Sequence, residues 1–145
     1  MSKFRIAFCL TLCCAVRAEE QTLKLPQKKI SVCGEKFTAW VSSTDAERRR
    51  GLMNFRVLHK NEAMLFIFEE EEPQNFWMKN VPYDLDIAFF DAHKTLVSST
   101  TMKGTSPLTL ENALPSYSSE GAAKFVVEVA GERFKKLPQT CKLSF

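Results

Sequence analysis

Hydrophobic and polar residues alternate along most of the chain in short runs, which is the pattern of β-strands. In one such run, Phe37, Ala39 and Val41 share one face of a predicted strand, and Trp40 points to the opposite face. Further runs predict strands over 63–68, 75–78, 85–90, 96–101 and 124–129. Between them, the acidic residues 69–72 predict an exposed hairpin tip, and residues 103–121 predict a long polar loop.

One short helix interrupts this series of strands. Thr44 and Glu47 have the spacing of a capping box, and Gly51 is suited to ending the helix less than two turns later. Many short strands with a single short helix are typical of β-sandwiches and barrels. The sequence therefore predicts a mainly β domain, either a compact jelly-roll-like sandwich or a barrel.

The first eighteen residues have the pattern of a secretory signal peptide. Lys3 and Arg5 precede an apolar run over 6–16, and the run is followed by a predicted cleavage site after Ala18. The apolar run is shorter than the ~20 residues that a membrane-spanning helix needs, so we expect no membrane span after cleavage. Two alternatives remain open, an uncleaved N-terminal anchor and lipid attachment at Cys13 or Cys14. With cleavage, residues 19–29 form a lead-in segment and residues 30–145 form a single domain.

The charge balance changes once the signal peptide is set aside. The chain has 145 residues, with 20 Lys and Arg against 17 Asp and Glu, and a formal charge of +3. Lys3, Arg5 and Arg17 account for the whole surplus, so the remaining chain is formally neutral. Such a balance is not that of a nucleic-acid-binding protein, which needs a concentrated basic face.

Cysteine usage agrees with an exported, periplasmic or secreted protein. After removal of the signal peptide only Cys33 and Cys141 remain, and an even pair in an oxidising compartment predicts a disulfide. Two separate thiols are the alternative. A zinc site is disfavoured, because neither His59 nor His93 has ligand spacing to a cysteine.

Four blocks in order resemble one known family. Gly51-Leu52-Met53, then 63–66 (Ala-Met-Leu-Phe), 76–80 (Phe-Trp-Met-Lys-Asn) and 85–87 (Leu-Asp-Ile) are similar to the DUF192 family of small prokaryotic proteins. The resemblance covers roughly residues 37–134. It implies a compact mainly β domain of jelly-roll-like or barrel-like character, often exported. It implies no activity, since the family has no agreed biochemical function.

The block over 76–80 is the strongest candidate for a binding site. In a strand, Trp77 and Lys79 share one face, opposite to Phe76. A tryptophan beside a cation is typical of surfaces that stack against a sugar ring or a planar ligand. The alternative interpretation is that Trp77 packs under the short helix.

Further polar residues complete a predicted pocket near the helix. Arg48 and Arg56 flank the turn at 51–53, where their guanidinium groups are suited to binding a carboxylate or another anion. Asp86 lies in an apolar strand and must be solvated or paired, either with Arg48 in a structural salt bridge or as the second wall of a polar pocket. Asn80 either caps the following turn or contacts a ligand. The predicted pocket is lined by Arg48, Arg56, Trp77, Asn80 and Asp86.

These features predict a binding or structural module rather than an enzyme. Its partner would be a small polar ligand, a saccharide or an anionic component of the cell envelope, and no cofactor is expected. Two alternatives stay open. Met53, Met64 and Met78 supply thioethers, which are soft ligands for Cu(I), and Asp86 is the residue that a hydrolase would use.

Overall fold

The computed structural model describes residues 23–134 and 136–145. The predicted signal peptide and its cleavage site after Ala18 lie outside the described residues. The described part of the chain contains seven β-strands: β1 (Gln27–Val32), β2 (Glu35–Ser42), β3 (Glu62–Trp77), β4 (Leu85–Phe90), β5 (Leu96–Met102), β6 (Ser116–Ala130) and β7 (Leu143–Ser144). It also contains one short helix, α1 (Asp45–Arg50), and a 3-10 turn at Glu111–Ala113. Within these residues, no helix has the length and apolar character needed to cross a membrane.

The strands form one sheet with the order β5-β4-β6-β3-β2-β1-β7. The sheet is curled into a half-barrel. Neighbouring strands in it are antiparallel except β2 and β3, which are parallel and joined by a crossover that contains α1. The prediction of a mainly β, barrel-like fold is confirmed.

Apolar side chains cover both faces of the sheet. On the first, which we call the helix face, the strands pack under the β2–β3 crossover; its cluster includes Trp40, Met64, Phe66, Ile87 and Val126. On the second, which we call the disulfide face, the cluster includes Phe37, Leu65, Phe90, Val127 and Cys141. The helix-face cluster also holds Leu23, so burial begins before the predicted start of the domain.

The helix α1 begins and ends as predicted. The Thr44 hydroxyl accepts a hydrogen bond from the backbone N–H of Glu47, and the Glu47 carboxylate accepts from the backbone N–H groups of Ser43 and Thr44 at 2.9 Å each. These backbone hydrogen bonds favour the charged carboxylate and lower the pKa of Glu47. Gly51 then ends the helix with φ 45°, a left-handed conformation that favours glycine.

The long strand β3 differs from its prediction. The pattern predicts two strands separated by a hairpin tip over 69–72, whereas one strand runs from Glu62 to Trp77. Its register with β6 shifts between Ile67 and Glu72, so the glutamates lie exposed on an irregular stretch of a continuous strand. The hairpin prediction is wrong because a local pattern does not show that another strand continues alongside.

The strand β6 likewise begins earlier than predicted. Residues 116–121 fall within the predicted polar loop, yet they lie opposite the second half of β3, where Asn75 is the partner of Ser118. The hydroxyls of Ser116 and Ser118 donate to the Asn75 side-chain oxygen at 3.1 and 2.6 Å. Polar contacts hold this end of the strand pair, so the sequence there lacks the hydrophobic signal of a strand.

The predicted disulfide joins Cys33, in the turn between β1 and β2, to Cys141. Near this bond, the backbone N–H of Leu96 donates to the Cys141 carbonyl at 3.0 Å, and that of Leu143 donates to the Lys94 carbonyl at 2.9 Å. β7 also pairs with β1. The covalent bond and these hydrogen bonds hold the C-terminal segment over the disulfide face.

Replacing Cys33 and Cys141 with serine should lower the free energy of unfolding by about 4 to 5 kcal/mol, because the bond closes a long loop in the unfolded chain. The cysteines are separated by 108 positions. Urea denaturation followed by tryptophan fluorescence measures the change. A reducing agent should bring the wild type to the stability of the double variant and leave that variant unaffected. Equal stability of the two oxidised proteins would contradict this prediction.

Candidate functional site

An open groove of about 440 Å³ lies between α1 and the polar end of the β3–β6 pair. We call it the Trp77 groove. Its walls are formed by α1, by β3 and by the segment that leads into β6, with Asp45, Arg48, Arg49, Phe68, Phe76, Trp77 and Leu114 among the lining residues. The groove thus combines aromatic surface with guanidinium groups.

Trp77 supplies the exposed aromatic surface of this groove. It is the last residue of β3, its side chain is 41% exposed, and its strand partner is Ser116. The ammonium group of Lys79 lies over the indole, 5.3 Å from its centroid, and is held by an ion pair with Glu111 at 2.5 Å. The preceding residue, Phe76, packs into the helix-face cluster. Trp77 therefore lies beside the helix with part of its ring open to solvent.

Arg48 and Arg49 have different roles in the groove. The Arg48 guanidinium donates to the carbonyls of Ser43 and Ile67 at 2.5 and 2.7 Å, and it pairs with Asp45 at 2.5 Å. Its side chain is 14% exposed and lies 5.0 Å from the Phe68 ring centroid. Arg48 thereby fastens α1 to β3. Arg49 is exposed, so it is the better placed of the two to contact an anion.

A much smaller pocket, of about 30 Å³, borders the Trp77 groove. We call it the Glu128 pocket. Glu128 lies near the C-terminal end of β6, where its strand partners are Met64 of β3 and Ile87 of β4. Most of the other walls are apolar or belong to the turn after α1, and they include Gly51, Leu52, Met53, Phe66, Met78 and Val81.

Burial dominates the electrostatics of this pocket. Glu128 is 4% exposed, and burial raises the pKa of its carboxyl to about 8. Burial, followed by the Glu128 charge, also raises the pKa of Tyr83, whose hydroxyl donates to the carbonyls of Phe55 and Arg56 at 3.2 and 2.9 Å. At neutral pH the Glu128 carboxyl is therefore mostly protonated and can both donate and accept a hydrogen bond.

The sequence analysis did not single out Glu128, although a signal for it exists. A lone acid between Val127 and Val129 is as unusual as Asp86 between Leu85 and Ile87. In both strands the alternating pattern leaves no polar face, so an acid is buried whichever way it points. Only the sheet order shows that β6 is an interior strand, with β4 along one edge and β3 along the other.

Arg56 and Asn80, two residues of the predicted pocket, do not line the Trp77 groove. The Arg56 guanidinium makes two hydrogen bonds to the Glu62 carboxylate, each 2.8 Å long, and these lower the pKa of Glu62. Asn80 has φ 55°, and its carbonyl accepts from the backbone N–H of Asn54 at 3.0 Å. Both residues hold the β2–β3 crossover in place.

Asp86 lies on the disulfide face and forms no pair with Arg48, contrary to the predicted salt bridge. It is fully buried, and its two carboxylate oxygens accept from the Thr101 hydroxyl and from the backbone N–H of Phe134, each at 2.7 Å. Alternation along β4 separates it from Leu85 and Ile87, which belong to the helix-face cluster. The predicted five-residue pocket is thus reduced to Arg48 and Trp77.

The methionines of the copper alternative are only partly brought together. Met53 and Met78 line the Glu128 pocket, whereas Met64 is fully buried in the helix-face cluster and is not part of that lining. In the described part of the chain, no three His, Cys, Asp or Glu side chains are grouped so that they could hold a metal ion.

The fold is similar to that of solved structures. A protein of unknown function from Novosphingobium aromaticivorans DSM 12444 superposes with a TM-score of 0.73 at 21% identity, over 83% of this chain and 86% of that one. A protein from Sinorhizobium meliloti 1021, described as a candidate transcription regulator, gives a TM-score of 0.70 at 21% identity, over 86% and 97% of the two chains. At such identities the likeness shows the fold alone.

The chain belongs to the DUF192 family, whose model, described as "Uncharacterized ACR", matches residues 28–139. This match confirms the resemblance carried by the four sequence blocks. No curated protein matches the chain. Any function must therefore be argued from the site itself.

Asp86→Ala should lower the free energy of unfolding by roughly 1 to 3 kcal/mol, because it leaves the buried Phe134 N–H without an acceptor. Urea denaturation measures the change. Glu70→Ala, at an exposed position of β3, is the control and should leave stability nearly unchanged. An Asp86→Ala variant as stable as the control would refute the structural role of Asp86.

Glu128→Gln should change how stability depends on pH. Because the folded state raises the pKa of Glu128 from 4.5 to about 8, its stabilising contribution is complete below pH 4.5 and is lost as pH rises through 8. The variant escapes this loss, so its advantage over the wild type should grow between pH 5 and 9, to on the order of 4 kcal/mol.

Urea denaturation across this pH range measures that difference. Glu120→Gln, at an exposed position of the same strand, is the control and should follow the wild type at every pH. Glu47, Glu62 and Asp84, whose pKa values are lowered, contribute equally to all three proteins and cancel. Parallel curves for Glu128→Gln and the wild type would show that Glu128 is charged in the folded protein at neutral pH.

Proposed function

We propose that this DUF192 protein is an exported binding protein that holds a small polar ligand, a saccharide or an anionic component of the cell envelope, in the Trp77 groove. The observation that supports this most strongly is the combination of a partly exposed tryptophan with arginine side chains in one open groove. An indole stacks on sugar rings, and guanidinium groups bind oxyanions.

The groove offers separate surfaces for these two kinds of contact. Trp77 and Phe68 present aromatic surface, whereas Arg49 and Lys79 provide positive charge around it. Arg48 is already occupied by three protein acceptors, so its contribution is to hold the wall in place. A ring that stacks on Trp77 would therefore have its polar substituents near Arg49.

Binding fits this groove better than hydrolysis does. Ser116 lines the groove, but its hydroxyl donates to Asn75, and no histidine is present among the described lining residues to activate it. Asp86, on which the hydrolase alternative depends, is buried on the disulfide face with both oxygens occupied.

An exported location, in the periplasm or outside the cell, suits the chain best. The apolar run over 6–16 with its preceding lysine and arginine has the pattern of a signal peptide. The disulfide between Cys33 and Cys141 belongs to an oxidising environment such as the periplasm or the extracellular space. We therefore place the ligand in one of these compartments.

A thermal-shift screen with neutral hexoses, N-acetylhexosamines, glucuronate and inorganic phosphate tests the proposal, since a ligand of the folded state raises the melting temperature. Trp77→Ala should raise the dissociation constant of any ligand found by about tenfold or more, which is equivalent to a loss of ~1.4 kcal/mol of binding free energy. Arg49→Ala should weaken the binding of anionic ligands only.

Val57→Ala is the matched control for this screen, because Val57 is exposed and apolar but lies outside the groove lining. It should bind as the wild type does. The proposal fails if no compound of the four classes raises the melting temperature, or if Trp77→Ala binds as tightly as Val57→Ala.

A further inference from the structure

The Trp77 groove and the Glu128 pocket share part of their walls. Arg48, Arg49, Phe76 and Trp77 line both. A molecule that lies against Trp77 therefore borders the place where the Glu128 carboxyl is buried. One ligand would fill both cavities if it carried a small group that reached past these shared residues to Glu128.

The Glu128 carboxyl has hydrogen-bonding capacity that the described residues do not use. Its side chain is almost completely buried and lines the pocket, and no hydrogen bond joins its carboxyl to another side chain of the described residues. Its oxygens are not among the fully enclosed polar atoms that lack a partner, which are Ser42 Oγ and Arg133 Nε, so they face the space of the pocket. Its strand partners, Met64 and Ile87, offer no polar atom at their side-chain ends except a thioether. A buried polar group without a partner is costly, so the pocket favours a bound group that can hydrogen-bond to Glu128.

The size of the pocket favours a very small bound group. A cavity needs roughly 10 to 15 Å³ on this measure to hold one water molecule, so a volume of about 30 Å³ holds a group of that size. A single hydroxyl group fits this space.

The charges around the pocket select a neutral group. The charged residues that line it beside Glu128 are Arg48, Arg49, Arg50 and Lys79, and Tyr83 lies close enough to respond to the Glu128 charge. Four basic residues oppose an ammonium ion, and the Glu128 carboxyl, where it is ionised, opposes an anion. A hydroxyl group pairs with the carboxyl in either protonation state.

We propose that the Glu128 pocket is a hydroxyl-binding subsite at the inner end of the Trp77 groove, and that the ligand is a neutral saccharide whose ring stacks on Trp77 while one hydroxyl bonds to Glu128. This inference rests on the proposed function and narrows its ligand class. Glu128 would then determine specificity, because a ligand that lacks this hydroxyl leaves the carboxyl unpaired.

Calorimetric titration of D-glucose, D-galactose and N-acetyl-D-glucosamine, each with its singly deoxygenated analogues, tests the pairing. For a hexose that binds, one analogue should bind at least about tenfold more weakly than its parent. In Glu128→Leu this difference should disappear, whereas in Glu128→Gln, whose amide can pair with a hydroxyl, it should persist. Trp77→Ala should weaken parent and analogue by the same factor.

A second measurement tests the subsite without relying on the groove. Methanol is titrated against the wild type with 13C-labelled glutamate carboxyl groups, and the Glu128 resonance is assigned by its loss in Glu128→Gln. A saturating shift of that resonance supports the subsite. If acetate or methylammonium shifts the Glu128 resonance and methanol does not, the hydroxyl-binding subsite is refuted.

The two measurements separate the two proposals. If a hexose binds through Trp77 but every analogue binds equally, or Glu128→Leu keeps the discrimination, the subsite is refuted and the proposed function stands. If no hexose binds but methanol shifts Glu128, the subsite stands and the saccharide is refuted. If neither a hexose nor methanol binds, the pocket holds a water molecule only and the subsite is refuted, whereas the proposed function then depends on the anionic compounds of the thermal-shift screen.

Discussion

The fold and the site both depend on the pairing of β6 with two strands at once. Residues 125–129 pair with β3 on one side and with β4 on the other, and this pairing joins the two halves of the sheet. Because both faces are covered, every side chain of this segment enters a core. The same strand carries Ser116, at its first position, to the wall of the Trp77 groove and Glu128, near its other end, to the Glu128 pocket. Any change of register in β6 would therefore move both.

Two acids that lie close together in β4 and β6 show how neighbouring carboxyls acquire different roles. Asp86 lies opposite Val129, one position from the Ile87–Glu128 pair, but on the other face of the sheet. Asp86 is satisfied by a hydroxyl and a backbone N–H, so it serves the fold. Glu128 has apolar strand partners and a cavity in front of it. Packing leaves the cost of burying this carboxyl unrelieved, and the proposed ligand hydroxyl would relieve it.

Local chemistry could be predicted from the sequence, and long-range pairing could not. The capping box of Thr44 and Glu47 involves neighbours in the chain, and the disulfide followed from a remaining cysteine pair. The hairpin at 69–72 was mispredicted because its glutamates signal exposure but not whether β6 continues beside them. In the site, Arg48 and Trp77 line one groove, and their role in ligand binding stays a prediction. Asp86 was misplaced because both sheet faces are apolar, and alternation then does not reveal which face an acid occupies.

The remaining wall of the groove is tied to the segment that carries Trp77. The backbone N–H of Thr105 donates to the Val81 carbonyl and its hydroxyl to the Met78 carbonyl, while Glu111 holds Lys79. Gly104 permits this approach, since a Cβ atom there would lie 2.6 Å from the backbone nitrogen of Tyr83. The loop that leads to Leu114 is thus fixed before a ligand arrives. A preformed groove loses little entropy on binding, so under the proposed function affinity would depend chiefly on stacking at Trp77 and on the proposed hydrogen bond to Glu128.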